Sequence, residues 1–272
     1  MGSTETKALQ RRTLRTLVVA QMLGGAGLAA GVTVGALLAE DMLGTTGLSG
    51  LPAALFTAGS AAAALLVGRL SQQAGRRVGL TVGYATGAVG GAGIVLAAIA
   101  DSVPLFLPSL VVYGAGTATN LQARYAGADL ADPTHRGRAV STVLVATTVG
   151  AVAGPNLVDL TGRFAEHLAV PRLAGPFMLA TVAYALAAVV LHLFLRPDPL
   201  LIARELADSE LQPPQAATRL GDEPAPAVAP RAGTSSVRLG ATAMVLTQAV
   251  MIAVMTMTPI HMRDQGAASR FG

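Results

Sequence analysis

The sequence has no cysteine and no tryptophan, aromatic residues make up only 4%, and charged residues only 12% of its 272 positions. Without cysteine there is no disulfide framework, cysteine nucleophile or thiolate metal site. Its four histidines, His135, His167, His192 and His261, stand far apart, so no metal-ligand spacing exists and no metal is expected. Neither a nucleophile elbow nor a phosphate loop is present. Gly25-Ala26-Gly27-Leu28-Ala29-Ala30 fits a dinucleotide fingerprint in letters, but no strand precedes it. An enzyme is therefore not expected, nor is a cofactor. The basic excess, +4 net with a pI near 10.1, is spread in small groups between apolar runs. It forms no patch that would read as a nucleic-acid surface.

What is abundant is apolar. Hydrophobic residues reach 52% and the mean hydropathy is +0.57, more than one soluble core can hide, and the charge fraction is half the usual one of about 25%. The solvent implied is a lipid bilayer. A membrane helix needs about 20 apolar residues, and seven runs supply them: Leu14 to Ala39, Leu51 to Leu70, Val78 to Ala100, Pro104 to Ala126, Ala139 to Leu157, Ala174 to Leu195 and Leu239 to Ile260. The first resembles a signal peptide in its basic start but is too long, and further spans come after it. Lys7, Arg11, Arg12, Arg15, Arg69, Arg76, Arg77, Arg136, Arg138, Arg196, Arg204, Arg219, Arg231 and Arg238 fall on one side of this alternation. Arg163, Arg172, Arg263 and Arg270 fall on the other, so the N-terminus is expected in the cytoplasm and the C-terminus outside.

The expected organisation is a cytoplasmic N-terminus (1–13), a six-helix bundle (14–195), a cytoplasmic linker (196–238), a seventh span (239–260) and a tail (261–272). The linker is rich in Pro, Ala and charge, and Leu200 to Leu211 reads as a short amphipathic helix on the inner membrane surface. A break after six helices and then another span is the pattern of a protein built from two six-helix halves.

Between the second and third runs stands Gly68-Arg69-Leu70-Ser71-Gln72-Gln73-Ala74-Gly75-Arg76-Arg77. This resembles the signature of the major facilitator superfamily, Gly-x-Leu-x-Asp-Arg-x-Gly-Arg-Arg, with Gln72 where the family usually has Asp. In the family that Asp meets a helix end and basic groups across the two halves, so the substitution removes part of the usual charge gate. Gly150-Ala151-Val152-Ala153-Gly154-Pro155-Asn156 resembles the antiporter signature of proton-coupled exporters, with Gly150, Gly154 and Pro155 carrying the match and the trailing glycines missing. Pro155 is expected to kink a helix that lines a cavity. Arg136-Gly137-Arg138-Ala139 resembles the connection after the family's fourth helix. The resemblance spans Leu14 to Leu195 and implies an all-α membrane protein: a six-helix N-terminal bundle plus one further helix.

Glycines at spacing four, Gly27, Gly31 and Gly35, then Gly83, Gly87 and Gly91, read as helix-packing stripes. Polar groups within spans are few and therefore informative. Asn120 and Arg124 form one stripe ending near Asp129, which places a basic group beside a carboxylate; with Gln21 and Gln248 they are the expected substrate-cavity residues. Gly114 and Gly116 resemble the family's glycine pair in this helix, but Leu110 and Tyr113 occupy its polar positions, so that site is not carried over. No carboxylate lies at mid-membrane; Asp129 and Asp159, near helix ends, are the candidates for proton linkage.

These features point to an inner-membrane secondary transporter of a small solute, working by alternating access, with drug or metabolite exchange against protons implied by the Gly150 to Pro155 motif. Superfamily members usually carry twelve spans. The rival expectation is therefore a truncated or partner-dependent membrane protein without autonomous transport.

Overall fold

The computed structural model describes residues 3–43, 51–132, 134–211, 239–240, 242–243 and 246–247. The chain divides into two units, Met1–Pro213 and Pro214–Gly272. The described residues of the second unit are helical, with the Thr247 hydroxyl donating to the Ala243 carbonyl at 2.8 Å. The seventh span lies mostly, and the tail wholly, outside the described residues.

The first unit is α1 (Ser3–Leu43), α2 (Leu51–Ala74), α3 (Arg76–Ile99), α4 (Val103–Ala126), α5 (Arg136–Asn156), α6 (Val158–His167), α7 (Gly175–Phe194) and α8 (Pro199–Leu211). No strand occurs among the described residues. By length and composition, α2, α3, α5 and the stretch Arg172–Ser209 are long and apolar enough to cross a membrane. Helix α4 carries Thr117, Thr119, Asn120, Gln122 and Arg124 among its apolar residues.

Exposure runs opposite to that of a soluble protein. Leu65, Leu66, Val89, Val145 and Val152 are all more than 60% exposed, whereas Gln21, Tyr84, Tyr113, Asn120 and Tyr184 are buried. Large apolar side chains on the outside and the polar groups inside are what a lipid solvent selects.

Packing obeys a repeat. Helix α1 lies against α5 and α7, while α4 lies against α2 and α3. Exchanging α1–α3 for α4, α5 and α7 turns the first set of neighbours into the second, which is the relation of a three-plus-three internal repeat. Glycines mark the equivalent crossings. A Cβ on Gly25 would overlap the Thr147 carbonyl and one on Gly150 the Met22 carbonyl, joining α1 to α5. A Cβ on Gly114 would overlap the Phe56 carbonyl and one on Gly59 the Val111 carbonyl, joining α4 to α2. Only residues without a side chain let backbones approach this closely.

Pro155 stands inside α5, one residue before its end at Asn156, so the carbonyl that its missing N–H leaves without a helical partner is that of Ala151, in the last turns of the helix. The expected fifth span also gives way, just past its end, to a separate ten-residue helix, α6. Leu160, Phe164 and Leu168 are more than half exposed on this side of the bundle, spaced four apart, while Gly162 and Ala165 are buried. This is the pattern of a helix lying in a membrane interface.

Candidate functional site

The polar side chains of the spans converge in the middle of the bundle. The Tyr84 hydroxyl of α3 donates to Gln21 Oε1 of α1 at 2.5 Å. Gln21 Nε2 faces three acceptors: the Asn120 backbone carbonyl at 3.0 Å, Asn120 Oδ1 at 3.0 Å and Thr147 Oγ1 of α5 at 2.9 Å. Two amide protons serve three oxygens, so one is shared. Thr147 also donates back to the Val143 carbonyl at 3.1 Å. The amide of α1 thus ties together α3, α4 and α5.

Beside this cluster lies a second one built on aromatic rings. The Tyr113 hydroxyl donates to the Gly27 carbonyl at 2.7 Å, and the Tyr184 ring stands 5.5 Å from that of Tyr113 and 5.7 Å from that of Tyr84. Cβ atoms on Gly27 or Gly116 would strike Tyr184, and one on Gly87 would strike the Gly116 backbone, with Tyr184 at 3.2 Å. Gly27 of α1 and Gly116 of α4 therefore make room for one large ring contributed by α7, and Gly87 lets α3 approach α4. Asn120 Nδ2 and Arg124 Nε are buried without a hydrogen-bond partner among the described residues.

Of the expected cavity residues, Gln21 and Asn120 are brought together, at 0% and 1% exposure, inside the bundle rather than on an open face. Arg124 is half-buried on the same side of α4. Gln248 lies outside the described residues. The carboxylate expected beside Arg124 is engaged elsewhere: Arg76 makes a two-pronged pair with Asp129, Nε to Oδ2 at 2.8 Å and Nη2 to Oδ1 at 3.3 Å, with side chains 11% and 13% exposed. Asp159 is 56% exposed and pairs with Arg163 at 2.8 Å and with Arg172. It belongs to a surface ion cluster at the end of the bundle opposite Asp129.

The signature loop is held from three directions. Gly75 has φ +95°, a region open to glycine at little cost, and a Cβ there would run into the Asp198 carboxylate. That carboxylate accepts the Arg77 backbone N–H at 2.7 Å and the Leu200 N–H at 3.0 Å, so a single anion caps the starts of both α3 and α8. Gln72, where the family pattern has Asp, meets Arg204 of α8 through its side-chain oxygen and its backbone carbonyl. Gly68 gives room to Gln122, Leu70 lies in the same last turns of α2, and Arg69 is exposed. Gly75→Ala should therefore lower thermal stability in detergent by about 1–3 kcal/mol through the strained φ and the displaced cap. Ala74→Gly, one residue away, tests the position: an equal loss from both changes would reject the role of Gly75.

Sequence reasoning missed Tyr84, Thr147, Tyr184, Asp198 and Arg204. For the tyrosines a signal existed: the chain has only four, and three are fully or almost fully buried while Tyr125 is 61% exposed. Asp198 gave none, since its partner Arg77 is 121 positions away.

Comparison with known proteins agrees with this architecture. The family model of the Major Facilitator Superfamily matches residues 16–271. Two Bacillus subtilis (strain 168) proteins, both described as uncharacterized MFS-type transporters, are similar: YdeG, 55% identical over 261 residues, and YddS, 48% identical over 258 residues. The matches cover 96% and 95% of this chain but 59% and 58% of those relatives, so the chain spans about three fifths of their length. The riboflavin transporter RfnT of Brucella anthropi is 30% identical over 191 residues, 69% of this chain and 46% of that protein. No solved structure matches. An all-α chain with apolar spans, a repeated helix crossing and a family match over nearly its whole length belongs to the major facilitator superfamily of membrane transporters.

Proposed function

We propose that this chain supplies the first six-helix half of an alternating-access secondary transporter that exports a small solute in exchange for protons across the cell membrane, with its N-terminus in the cytoplasm. The observation that carries the reading is the repeated crossing, α1 on α5 and α4 on α2. Repeats of this kind let one bundle rock against another around a site near the midplane. The orientation rests on the basic groups at the end of the bundle where α1 begins, among them Arg11, Arg15, Arg69, Arg77 and Arg138. Asp129 is the better placed of the two carboxylates for proton linkage. It pairs with Arg76 of the signature loop in a half-buried setting, whereas Asp159 is already open to solvent.

The relative's name makes riboflavin the first solute to test. In everted membrane vesicles with an acidic interior, a transporter carrying this chain as its first half should raise riboflavin accumulation several-fold over vesicles lacking it, and a protonophore should abolish the difference. Asp129→Asn should leave riboflavin bound but no longer concentrated. Equal accumulation with and without that transporter rejects the transport reading. Accumulation that ignores the protonophore rejects proton exchange and leaves transport standing.

A further inference from the structure

Helix α1 is 41 residues long, about 61 Å at about 1.5 Å per residue, roughly twice a bilayer's hydrocarbon thickness of about 30 Å. Its first turns therefore stand in the headgroup layer. There they lie across from α8, and a shallow, open cleft of about 370 Å³ is lined by Glu5, Ala8, Leu9 and Arg12 of α1, Pro197 just before α8 and Ile202 of α8. Helix α8 is a fixed wall, because Asp198 caps it onto the start of α3 and Arg204 holds Gln72.

The lining has an order. Glu5, Ala8, Leu9 and Arg12 share one face of α1 by their spacing. Arg12 lies about 3 Å along the helix from the start of the apolar run at Leu14, and Glu5 about 14 Å. A cation thus stands next to the hydrocarbon and an anion further out in water, with apolar walls from Leu9, Pro197 and Ile202 between and beside them. A phospholipid with an amine headgroup presents the complementary sequence: acyl chain, then phosphate, then ammonium. We propose that this cleft binds an aminophospholipid such as phosphatidylethanolamine, its phosphate on Arg12, its ammonium on Glu5 and the start of an acyl chain along Leu9 and Ile202.

Charge distribution separates this from general attraction to anionic lipid. Lys7, Arg11 and Arg15 are exposed on the neighbouring flank of α1, outside the cleft, and draw any anionic headgroup by field alone. Within the cleft one carboxylate opposes one guanidinium, so a headgroup of net negative charge leaves Glu5 facing a like charge. A choline headgroup cannot donate a hydrogen bond to Glu5, which a primary ammonium does with charge assistance.

The test is lipid binding to the purified 272-residue chain in detergent, read by native mass spectrometry with palmitoyl-oleoyl phosphatidylethanolamine, phosphatidylcholine and phosphatidylglycerol as separate probes. Ethanolamine lipid should bind at least about fivefold tighter than choline lipid, the difference of one charge-assisted hydrogen bond. Glu5→Gln should erase that preference, Arg12→Gln should weaken both zwitterionic lipids, and Arg11→Gln should leave the preference intact. Glu5 and Arg12 are exposed, so these variants keep the fold. Tighter binding of the glycerol lipid to the cleft, or an ethanolamine preference that survives Glu5→Gln, overturns the proposal.

Discussion

Gly150→Val should leave little folded protein to extract, and Gly150→Ala should lower the melting temperature of the purified chain by about 5 °C or more. The reason is backbone, not side chain. A Cβ at Gly150 falls on the Met22 carbonyl and also approaches the Ala26 amide nitrogen at 2.9 Å, while a Cβ at Gly25 falls on the Thr147 carbonyl. These obstacles are main-chain atoms of facing helices, so no rotamer change relieves them. The crossing must open instead, and contacts along α1 and α5 are lost together. Overpacking of a core side chain costs about 1–3 kcal/mol; moving a helix axis in a lipid solvent, where close packing is the main associating force, lies at the upper end of that range. Gly59→Ala should behave the same way, because it occupies the equivalent crossing against the Val111 carbonyl. Gly137→Ala is the control, since a Cβ there meets nothing within 4 Å. Thermal denaturation monitored by circular dichroism reads all three. A Gly150→Ala chain that melts with the parent would show that Gly150 does not serve this packing.

The same residues show why some features could be read along the chain and others could not. Glycines spaced by four on α1 and α3 announce helices meant to approach closely, and Gly27 and Gly87 do face the Tyr184 ring while Gly91 faces Thr181. Such a stripe states that something is close, not what. The partner is set by which helices neighbour one another, and that order comes from the repeat. Polar groups in apolar runs are also visible, which is why Gln21 and Asn120 stand out before any fold is known. Their meeting across 99 positions is a property of the packed bundle. Arg76 shows the opposite limit. It matches a family signature, and Asp129 stands out near a helix end, yet a local reading assigns Asp129 to Arg124, five residues away, rather than to Arg76, 53 positions back. Spacing on one helix cannot compete with a partner delivered by another. Helix α6 escapes for another reason. Ten residues with Asp159, Arg163 and Glu166 among them are too short and too mixed for a hydropathy window tuned to spans of about 20 residues. The alternation of Leu160, Phe164 and Leu168 with charge is the signal that a search for interfacial helices would use.

Gln21→Leu should destabilise the bundle by about 2–4 kcal/mol, measured by unfolding in mixed micelles, although leucine fits the volume and suits the lipid-like interior. The cost comes from what is left behind. Tyr84 loses the acceptor of its 2.5 Å hydrogen bond, and Asn120 Oδ1 is left with only the long 3.5 Å contact from the Thr147 hydroxyl while its Nδ2 is already without a partner. Thr147 keeps its bond to the Val143 carbonyl and contributes little to the loss. Tyr84→Phe removes only one hydroxyl and leaves Gln21 Oε1 unpaired, so about 1–2 kcal/mol is expected. Because both changes break the same bond, the double variant should cost about 1 kcal/mol less than the sum of the singles. Strict additivity would show that the tyrosine and the amide act separately, and the picture of one amide tying α3, α4 and α5 to α1 would then fail. The cycle also bears on transport. Asn120 Nδ2 is a donor that the bundle leaves unanswered, and an acceptor arriving from a solute would answer it at little further desolvation cost. If riboflavin reaches this cluster, Asn120→Leu should raise its half-saturation concentration far more than Gln21→Leu does at equal folded amount. Parallel effects of the two changes would assign the cluster to holding the half-bundle together, with the solute bound elsewhere between the halves.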